Sequence, residues 1–181
     1  PIRDIGNGIK VLEVKNPEVK VLACPMPYIR NNHQINDQTI IKSWNKSTKV
    51  YKCRQGTNAT LYYYNDSWRI SSTKGLDMND VAWNGDKTYQ TVIEEGLKTH
   101  NEDWKSFCES LNEKHSYAIG FYHPEYHVFD STDKTPDVWI NRVTDLETLK
   151  DVTYQYQSLE LGIPIIVEET LRDPELSGQT V

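Results

Sequence analysis

The sequence lacks the features that would place the protein outside the cell or in a membrane. Its 181 residues hold only three cysteines, Cys24, Cys53 and Cys108, which lie far apart. This odd, scattered set supplies neither a disulfide framework nor the paired spacing of a zinc site, so we expect a reducing, intracellular compartment. No apolar run approaches the roughly 20 residues of a membrane-spanning helix, and no signal-peptide pattern opens the sequence, so we expect no membrane partner.

Positive charge is also scarce. Lysine and arginine number 20 against 26 acidic residues, and the formal net charge is −6. Non-specific binding of nucleic acid depends on Lys and Arg releasing counterions from phosphates, so the surface as a whole does not suit it, although a local basic groove would. Tyrosine (11) and tryptophan (5) are frequent. Such rings either stack on bases or pack within sheets, and we favour packing.

The apolar pattern predicts strands joined as hairpins. Residues 8–14 and 19–25 flank an Asn-Pro-Glu turn, and the strand around Leu61 is followed by Asn65-Asp66 turn chemistry and a returning strand. Residues 116–122 alternate and are followed by a turn at 123–125, a returning strand at 126–130 and a further strand at 137–143.

Helical periodicity appears in three stretches. The segment from Asp86 contains Val92, Ile93 and Leu97 at helical spacing. The clearest helix is predicted over residues 101–114, with Asn101 as its cap and one apolar face, formed by Trp104, Phe107, Cys108 and Leu111. Residues 145–162 can be helical at their end, with Gly162 as C-cap. The predicted class is therefore α+β, with antiparallel β-sheets built from hairpins and flanking helices, and not a doubly wound fold.

Four short motifs occur in order along this pattern: "NGIKVLEV" with "VLACPMPYIRNN", then "CRQGT" (53–57), "SSTKG" (71–75) and "GFYHPEYHVF" (120–129). Together they resemble the adenylation domain of ATP-dependent RNA ligases of phage or large-DNA-virus type, in the ligase and capping-enzyme nucleotidyltransferase superfamily. The resemblance implies one RNA ligase-like domain over residues 1–181. The late motifs of that superfamily are not evident before Val181, which leaves open that the domain is incomplete at its C-terminal end.

The resemblance also implies a lysine amine that attacks the α-phosphate of ATP, with Mg²⁺ offsetting the phosphate charge. Counted back from Gly56, the position of that amine is Cys53, and Lys52 is one residue further out. A slip of one residue along a strand points a side chain to the opposite face. A β-bulge would turn Lys52 back, and Lys52 is then the catalytic residue of an active enzyme that needs ATP and Mg²⁺.

One further position departs from the family pattern. The carboxylate expected before the apolar-Pro motif falls at Gly120, and Glu125 lies beyond the turn, where we expect it to be solvated. Cys53, flanked by Lys52 and Arg54, raises the alternative of a thiol nucleophile, but packing is the better interpretation because no partner base is placed by the sequence. The five histidines have no metal-ligand spacing, so we predict no metal site and expect them at the surface.

The candidate phosphate-binding residues are those that belong to these motifs or follow them on the paired strands. They are Arg54, Gly56, Arg69, Lys74 and Gly75. Together with Lys52, the cations of this set would either line one groove that binds phosphate or protect a solvated strand edge. The sequence favours neither interpretation over the other.

Three hypotheses for function follow. The preferred one is a degenerate RNA ligase-like domain, catalytically inactive, that binds RNA, a nucleotide or a protein partner, or serves as a scaffold, in the cytoplasm or in a virion. The second is an active RNA ligase or adenylyltransferase using Lys52. The third is a structural subunit of a large assembly.

Overall fold

The computed structural model describes residues 11–27, 38, 42, 44–45, 50–51, 54–126, 134–156, 161–166 and 168–169. The strands in this part of the chain are β1 (Val11–Lys15), β2 (Glu18–Ala23), β3 (Val50–Tyr51), β4 (Thr57–Tyr64), β5 (Ser67–Ser71), β6 (Ala82–Asn84), β7 (Lys87–Thr88), β8 (His115–Tyr122), β9 (Asp137–Asp145) and β10 (Glu168–Glu169). The helices are α1 (Tyr89–Lys98), α2 (Trp104–Ser110) and α3 (Thr153–Tyr156), with a 3₁₀ turn at Pro124–Tyr126.

Four antiparallel strands form the central sheet, in the order β5-β4-β8-β9. The pairs β1-β2, β3-β10 and β6-β7 form two-stranded sheets beside it. Two predicted hairpins are confirmed: β1 and β2 flank Asn16-Pro17, and β4 and β5 flank Asn65-Asp66. Asn65 and Asp66 have φ of 49° and 58°, and positive φ at both positions is what a two-residue hairpin turn of type I′ requires.

The third predicted hairpin is only partly described. Strand β8 is present, but Tyr126 lies in the 3₁₀ turn, and the rest of the predicted returning strand, 127–130, lies outside the described residues. The antiparallel neighbour of β8 is β9, with Ile119 opposite Ile140. The predicted strand at 137–143 is therefore confirmed as the edge strand beside β8.

The helix predicted over residues 101–114 is shorter in the structure, and its predicted cap is wrong. Asp103 caps α2, because its Oδ1 accepts a hydrogen bond of 2.9 Å from the backbone N–H of Ser106. Asn101 instead has a φ of 60° and ends the turn that follows α1. The helix ends before Leu111, whose backbone is extended. The earlier helix α1 forms as predicted, with Thr88 as its cap.

The last predicted helix is described only over α3. Gly162 has a φ of 73°, as a C-cap glycine does. Residues 157–160, which join it to α3, lie outside the described residues, so its capping role stays a prediction.

The two faces of the central sheet bury different side chains. On the helix-packed face the strands contribute an apolar set that packs with α1 and α2: Leu61, Ile70, Tyr117, Ile119, Phe121, Val138, Ile140 and Val143. On the opposite face, here called the polar face, alternation places Thr60, Ser71, Ser116, Ala118, Gly120, Trp139, Arg142 and Thr144. These observations confirm the α+β class with antiparallel sheets. None of the described helices has the length and apolar character to cross a membrane.

Candidate functional site

The polar face has a tryptophan packed where two motif glycines meet. The pairing of β4 with β8 sets Asn58 opposite Gly120, and Gly120 in turn lies opposite Trp139 on β9. A Cβ added at Gly56 or at Gly120 would come closer than 3.0 Å to the Trp139 ring. The indole therefore lies directly against both glycines, and only 3% of Trp139 is exposed.

Hydrogen bonds hold this indole in place. Trp139 Nε1 donates to Asn141 Oδ1 at 2.8 Å, and Asn141 Nδ2 donates to Asn58 Oδ1 at 2.9 Å. Asn58 belongs to β4 and follows the "CRQGT" motif directly. The ring is thus fixed by a chain of amides that links β9 to the motif strand.

Arg54 covers the same indole. Its guanidinium carbon lies 4.9 Å from the centre of the Trp139 ring, a cation–π distance. Arg54 Nη1 also lies 3.1 Å from Asp137 Oδ2, and the other oxygen of Asp137 is 2.7 Å from His100 Nε2. Arg54 and Gly56, both predicted to bind phosphate, therefore lie close together, but both contact the Trp139 ring.

Arg69 lies at the opposite edge of the sheet. It belongs to β5 and forms an ion pair with Asp77. The neighbouring backbone of β5 is also engaged: Ile70 N donates to Asn79 Oδ1 at 2.8 Å, and Ile70 O accepts from Met78 N at 2.8 Å. The segment 77–79 thus covers the outer edge of β5, an arrangement that favours edge protection as the role of Arg69.

Lys74 and Gly75 form a tight turn after β5. Ser72 N donates to Gly75 O, and Lys74 N donates to Ser72 Oγ, each at 3.0 Å. A Cβ on Gly75 would lie 2.8 Å from the buried Met78 sulfur, so glycine allows the turn to pack there. Arg54 contacts β9 and Arg69 lies on β5, so these two cations are at opposite edges of the sheet. Lys52 and Cys53 lie outside the described residues, and their predicted roles stay predictions.

The position of the expected carboxylate has no side chain, and Glu125 does not replace it. The Glu125 side chain is 63% exposed and lies 3.5 Å from Lys87 Nζ, beyond the end of β8. The expectation that Glu125 is solvated is confirmed. Among the described residues no group of three or more His, Cys, Asp or Glu side chains is arranged to hold a metal ion.

The expectation that the histidines lie at the surface is wrong for two of them. His115 and His123 are 8% and 4% exposed, because they begin β8 and follow it directly, at the two ends of a buried strand. His123 Nε2 lies 2.7 Å from Glu95 Oε2, and Lys87 Nζ lies 2.9 Å from the same oxygen. Alternation along the strand was the sequence signal for this burial.

Within this cluster the pKa of the acid Glu95 is lowered and the pKa of the base Lys87 is raised. Burial alone would raise the pKa of Glu95, but hydrogen bonds from Lys87 and His123 outweigh it and hold that pKa below its ordinary value. The hydrogen bond to Glu95 in turn raises the pKa of Lys87. In the core, burial raises the pKa of Cys108 to about 12, so this thiol is protonated and unreactive at neutral pH.

Sequence reasoning missed the residues that surround and hold Trp139. Trp139, Asp137, His100, Asn58 and Asn141 were not singled out, although Trp139 stood in a predicted strand. Only the register, which sets Trp139 opposite Gly120, reveals that the indole lies on a motif glycine.

Comparison with known proteins gives viral relatives. The chain is 30% identical over 164 residues to a protein named "Putative RNA-ligase" from a South African tick isolate of African swine fever virus, with 81% of this chain and 35% of the relative covered. It is 30% identical over 159 residues to the protein of the same name from a Kenyan pig isolate, covering 79% of this chain and 34% of the relative. No protein-family model matches the chain.

The chain thus spans about a third of the length of the curated relatives it matches. The predicted resemblance is confirmed at the level of a viral RNA ligase-like protein. Its assignment to the adenylation domain remains a prediction.

Proposed function

We propose that the chain is an RNA ligase-like nucleotidyltransferase domain whose catalytic site has decayed, and that it acts as a binding or scaffolding module of a viral protein. The observation that carries the proposal is the packing of Trp139 against Gly56 and Gly120. These two glycines come from two of the motifs on which the family resemblance rests.

The strand pairing supports the family resemblance, because it makes two of its motifs neighbours. Thr57 pairs with Phe121 and Asn58 with Gly120, so the "CRQGT" and "GFYHP" motifs are neighbours in the sheet although more than sixty positions separate them in the chain. Two motifs that contribute to one substrate-binding surface have to be adjacent in this way.

Within the described residues, two observations on this face count against catalysis. A nucleophilic amine and a metal-binding carboxylate have to meet the triphosphate over these strands. Gly120 offers no carboxylate, and the indole of Trp139 takes the space next to it. Arg54, two residues before Gly56 in the "CRQGT" motif, is paired with Asp137.

The test is adenylylation with α-labelled ATP and Mg²⁺, read on a denaturing gel, with an active RNA ligase as positive control. We expect no covalent label on the chain or on Lys52→Ala. A label on the chain that Lys52→Ala abolishes would contradict the proposal and establish the active alternative.

The binding role is tested separately. Filter binding of single-stranded RNA at low and moderate salt and equilibrium binding of ATP are compared for the chain and for Trp139→Ala, which empties the occluded space. If Trp139→Ala binds ATP and the unmodified chain does not, the result supports the proposal that the indole blocks the nucleotide site. Equal ATP binding by both proteins contradicts it. Fractionation of infected cells and virions tests the proposed cytoplasmic or virion location.

A further inference from the structure

An open cleft of about 720 Å³ lies at the margin of the helix-packed face, on the other side of the sheet from Trp139. Strand β5, the segment 77–80 and helix α2 form its walls. Trp68 and Trp104 are both only partly buried there, although each packs against the core. Tyr63 stands edge-on to Trp68, with ring centres 5.5 Å apart. The cleft thus exposes aromatic surface that the core does not cover.

The rim of this cleft is negative. It carries four carboxylates, those of Asp77, Asp80, Glu109 and Glu113, against two cations. Both cations are already paired: Arg69 with Asp77, and Lys105 with Glu109 at 3.8 Å along α2.

Two acids of the rim, Asp80 and Glu113, have no cation partner within the described part of the chain, although one of them, Glu113, accepts a hydrogen bond from Tyr63. Together with burial, the negative charges of Glu113 and Asp66 raise the pKa of Tyr63. The aromatic wall therefore faces an uncompensated negative field.

Hydrogen bonds of the Asn79 side chain hold the floor of the cleft in place. The Asn79 side chain accepts from Ile70 N at 2.8 Å and donates to Trp68 O at 3.2 Å and to Gln90 Oε1 at 3.0 Å. These bonds tie β5 to the start of α1 beneath the tryptophans. A surface held in this way loses little conformational freedom when a ligand binds.

We propose that this cleft binds an arginine- or lysine-bearing segment of a partner protein. A guanidinium or ammonium group is attracted to the face of a tryptophan, and carboxylates on the rim supply charge-assisted hydrogen bonds to the same group. The volume falls within the range of about 300–1,000 Å³ typical of binding pockets, and its open side suits a peptide chain. RNA is disfavoured because the acidic rim repels phosphates.

The site is independent of the proposed loss of catalysis. It uses the outer edge of β5 together with α2 and none of the motif glycines, so a covalent AMP label and peptide binding are read separately. A result that contradicts the loss of catalysis would not contradict peptide binding, and the reverse also holds.

The test is calorimetric titration of the chain with a blocked pentapeptide of alternating glycine and arginine, beside the same peptide with citrulline in place of arginine. Citrulline keeps the shape and removes the charge. We expect saturable binding of the arginine peptide, at least tenfold weaker binding of the citrulline peptide, and a loss of affinity as salt increases.

Variants locate the binding. Asp80→Asn combined with Glu113→Gln should weaken the arginine peptide about tenfold or more, and Trp104→Ala should weaken it too. The matched control is Glu18→Gln combined with Asp86→Asn, which removes the same charge at exposed positions outside the cleft and should bind like the unmodified chain. Circular dichroism spectra and urea midpoints confirm that each variant is folded.

Three results would overturn the proposal. One is equal affinity for the arginine and citrulline peptides. Another is equal weakening by the cleft variant and its control. The third is displacement of the peptide by single-stranded RNA that binds more tightly in the same cleft, which would assign this surface to nucleic acid.

Discussion

The two faces of the central sheet differ in how they are filled. On the helix-packed face, side chains such as Phe121 and Ile140 are fully buried among helices and other strands. On the polar face, small and hydroxyl-bearing side chains such as Ser71, Ser116 and Ala118 are equally buried but offer little apolar area. The hairpin β1–β2 covers part of that face, since its Val11 and Leu22 pack with Tyr62, and Cys24, which follows β2, donates from its N–H to Ser116 Oγ at 3.0 Å.

This difference shows which face of the sheet contributes more to the stability of the fold. Burial of apolar area is the main favourable term in folding, and most of that area lies on the helix-packed face. On the polar face small side chains alternate with a few large ones, and the indole of Trp139 takes up the space beside Gly56 and Gly120. The comparison predicts that substitutions on the two faces act through different physical terms.

The largest contrast is expected between two neighbours on β5. Ile70 is 0% exposed and Ser71 is 1% exposed, yet they point to opposite faces. Ile70→Ala should lower the free energy of unfolding by about 2–5 kcal/mol, through lost apolar burial and a cavity. Ser71→Ala should change it by about 1 kcal/mol or less, because the hydrogen bond that the Ser71 hydroxyl makes within the described residues is long, 3.5 Å to Thr60 O. Urea denaturation measures both.

The two substitutions serve as controls for each other, since they neighbour in sequence and are equally inaccessible. A similar loss of stability in both would mean that the polar face contributes to the core as much as the helix-packed face does. The contrast between faces would then be wrong.

A smaller effect should come from the occluded position itself. Gly120→Ala should cost about 1–3 kcal/mol, because its Cβ would press into the Trp139 ring. In a Trp139→Phe background, where the ring is smaller, the same substitution should cost less. The difference between the two costs is the coupling energy of the pair, and contacting residues usually couple by about 0.5–3 kcal/mol. Identical costs in both backgrounds would show that the indole does not lie on Gly120.

Local signals predicted the elements whose structure depends on nearby residues. Asn65-Asp66 marks its turn in the sequence because both residue types tolerate positive φ. The apolar spacing of α1 likewise predicts the face it buries. The start of α2 was misplaced because Asn101 and Asp103 are both good caps, and only the backbone at Asn101 decides between them.

The sites depend on contacts that no local pattern encodes. The motifs marked Gly56 and Gly120 separately, and only the folded chain shows that both lie against Trp139. That Trp139 packs on them follows from the β8–β9 register, which two strands of similar composition do not specify. The acidic cleft was not predicted because its walls come from separate segments that meet only in the folded chain.

The smallest expected effect lies at the end of β8, where the Glu95 carboxylate meets Lys87, His123 and, through Lys87, the exposed Glu125. Because the pKa of Glu95 is lowered in the folded chain, its ion pair stabilises the fold above the ordinary carboxyl pKa of 4.5, and this contribution is lost as pH falls through the lowered value. Glu95→Gln should therefore destabilise the chain at pH 6.5 by less than about 1 kcal/mol, the scale of a partly exposed pair, and the difference should shrink toward pH 3. Urea midpoints across this range measure it, with Glu94→Gln as control, since Glu94 accepts from Gln90 and not from a cation. A Glu95→Gln difference that grows as the pH falls would contradict the assigned direction of the shift.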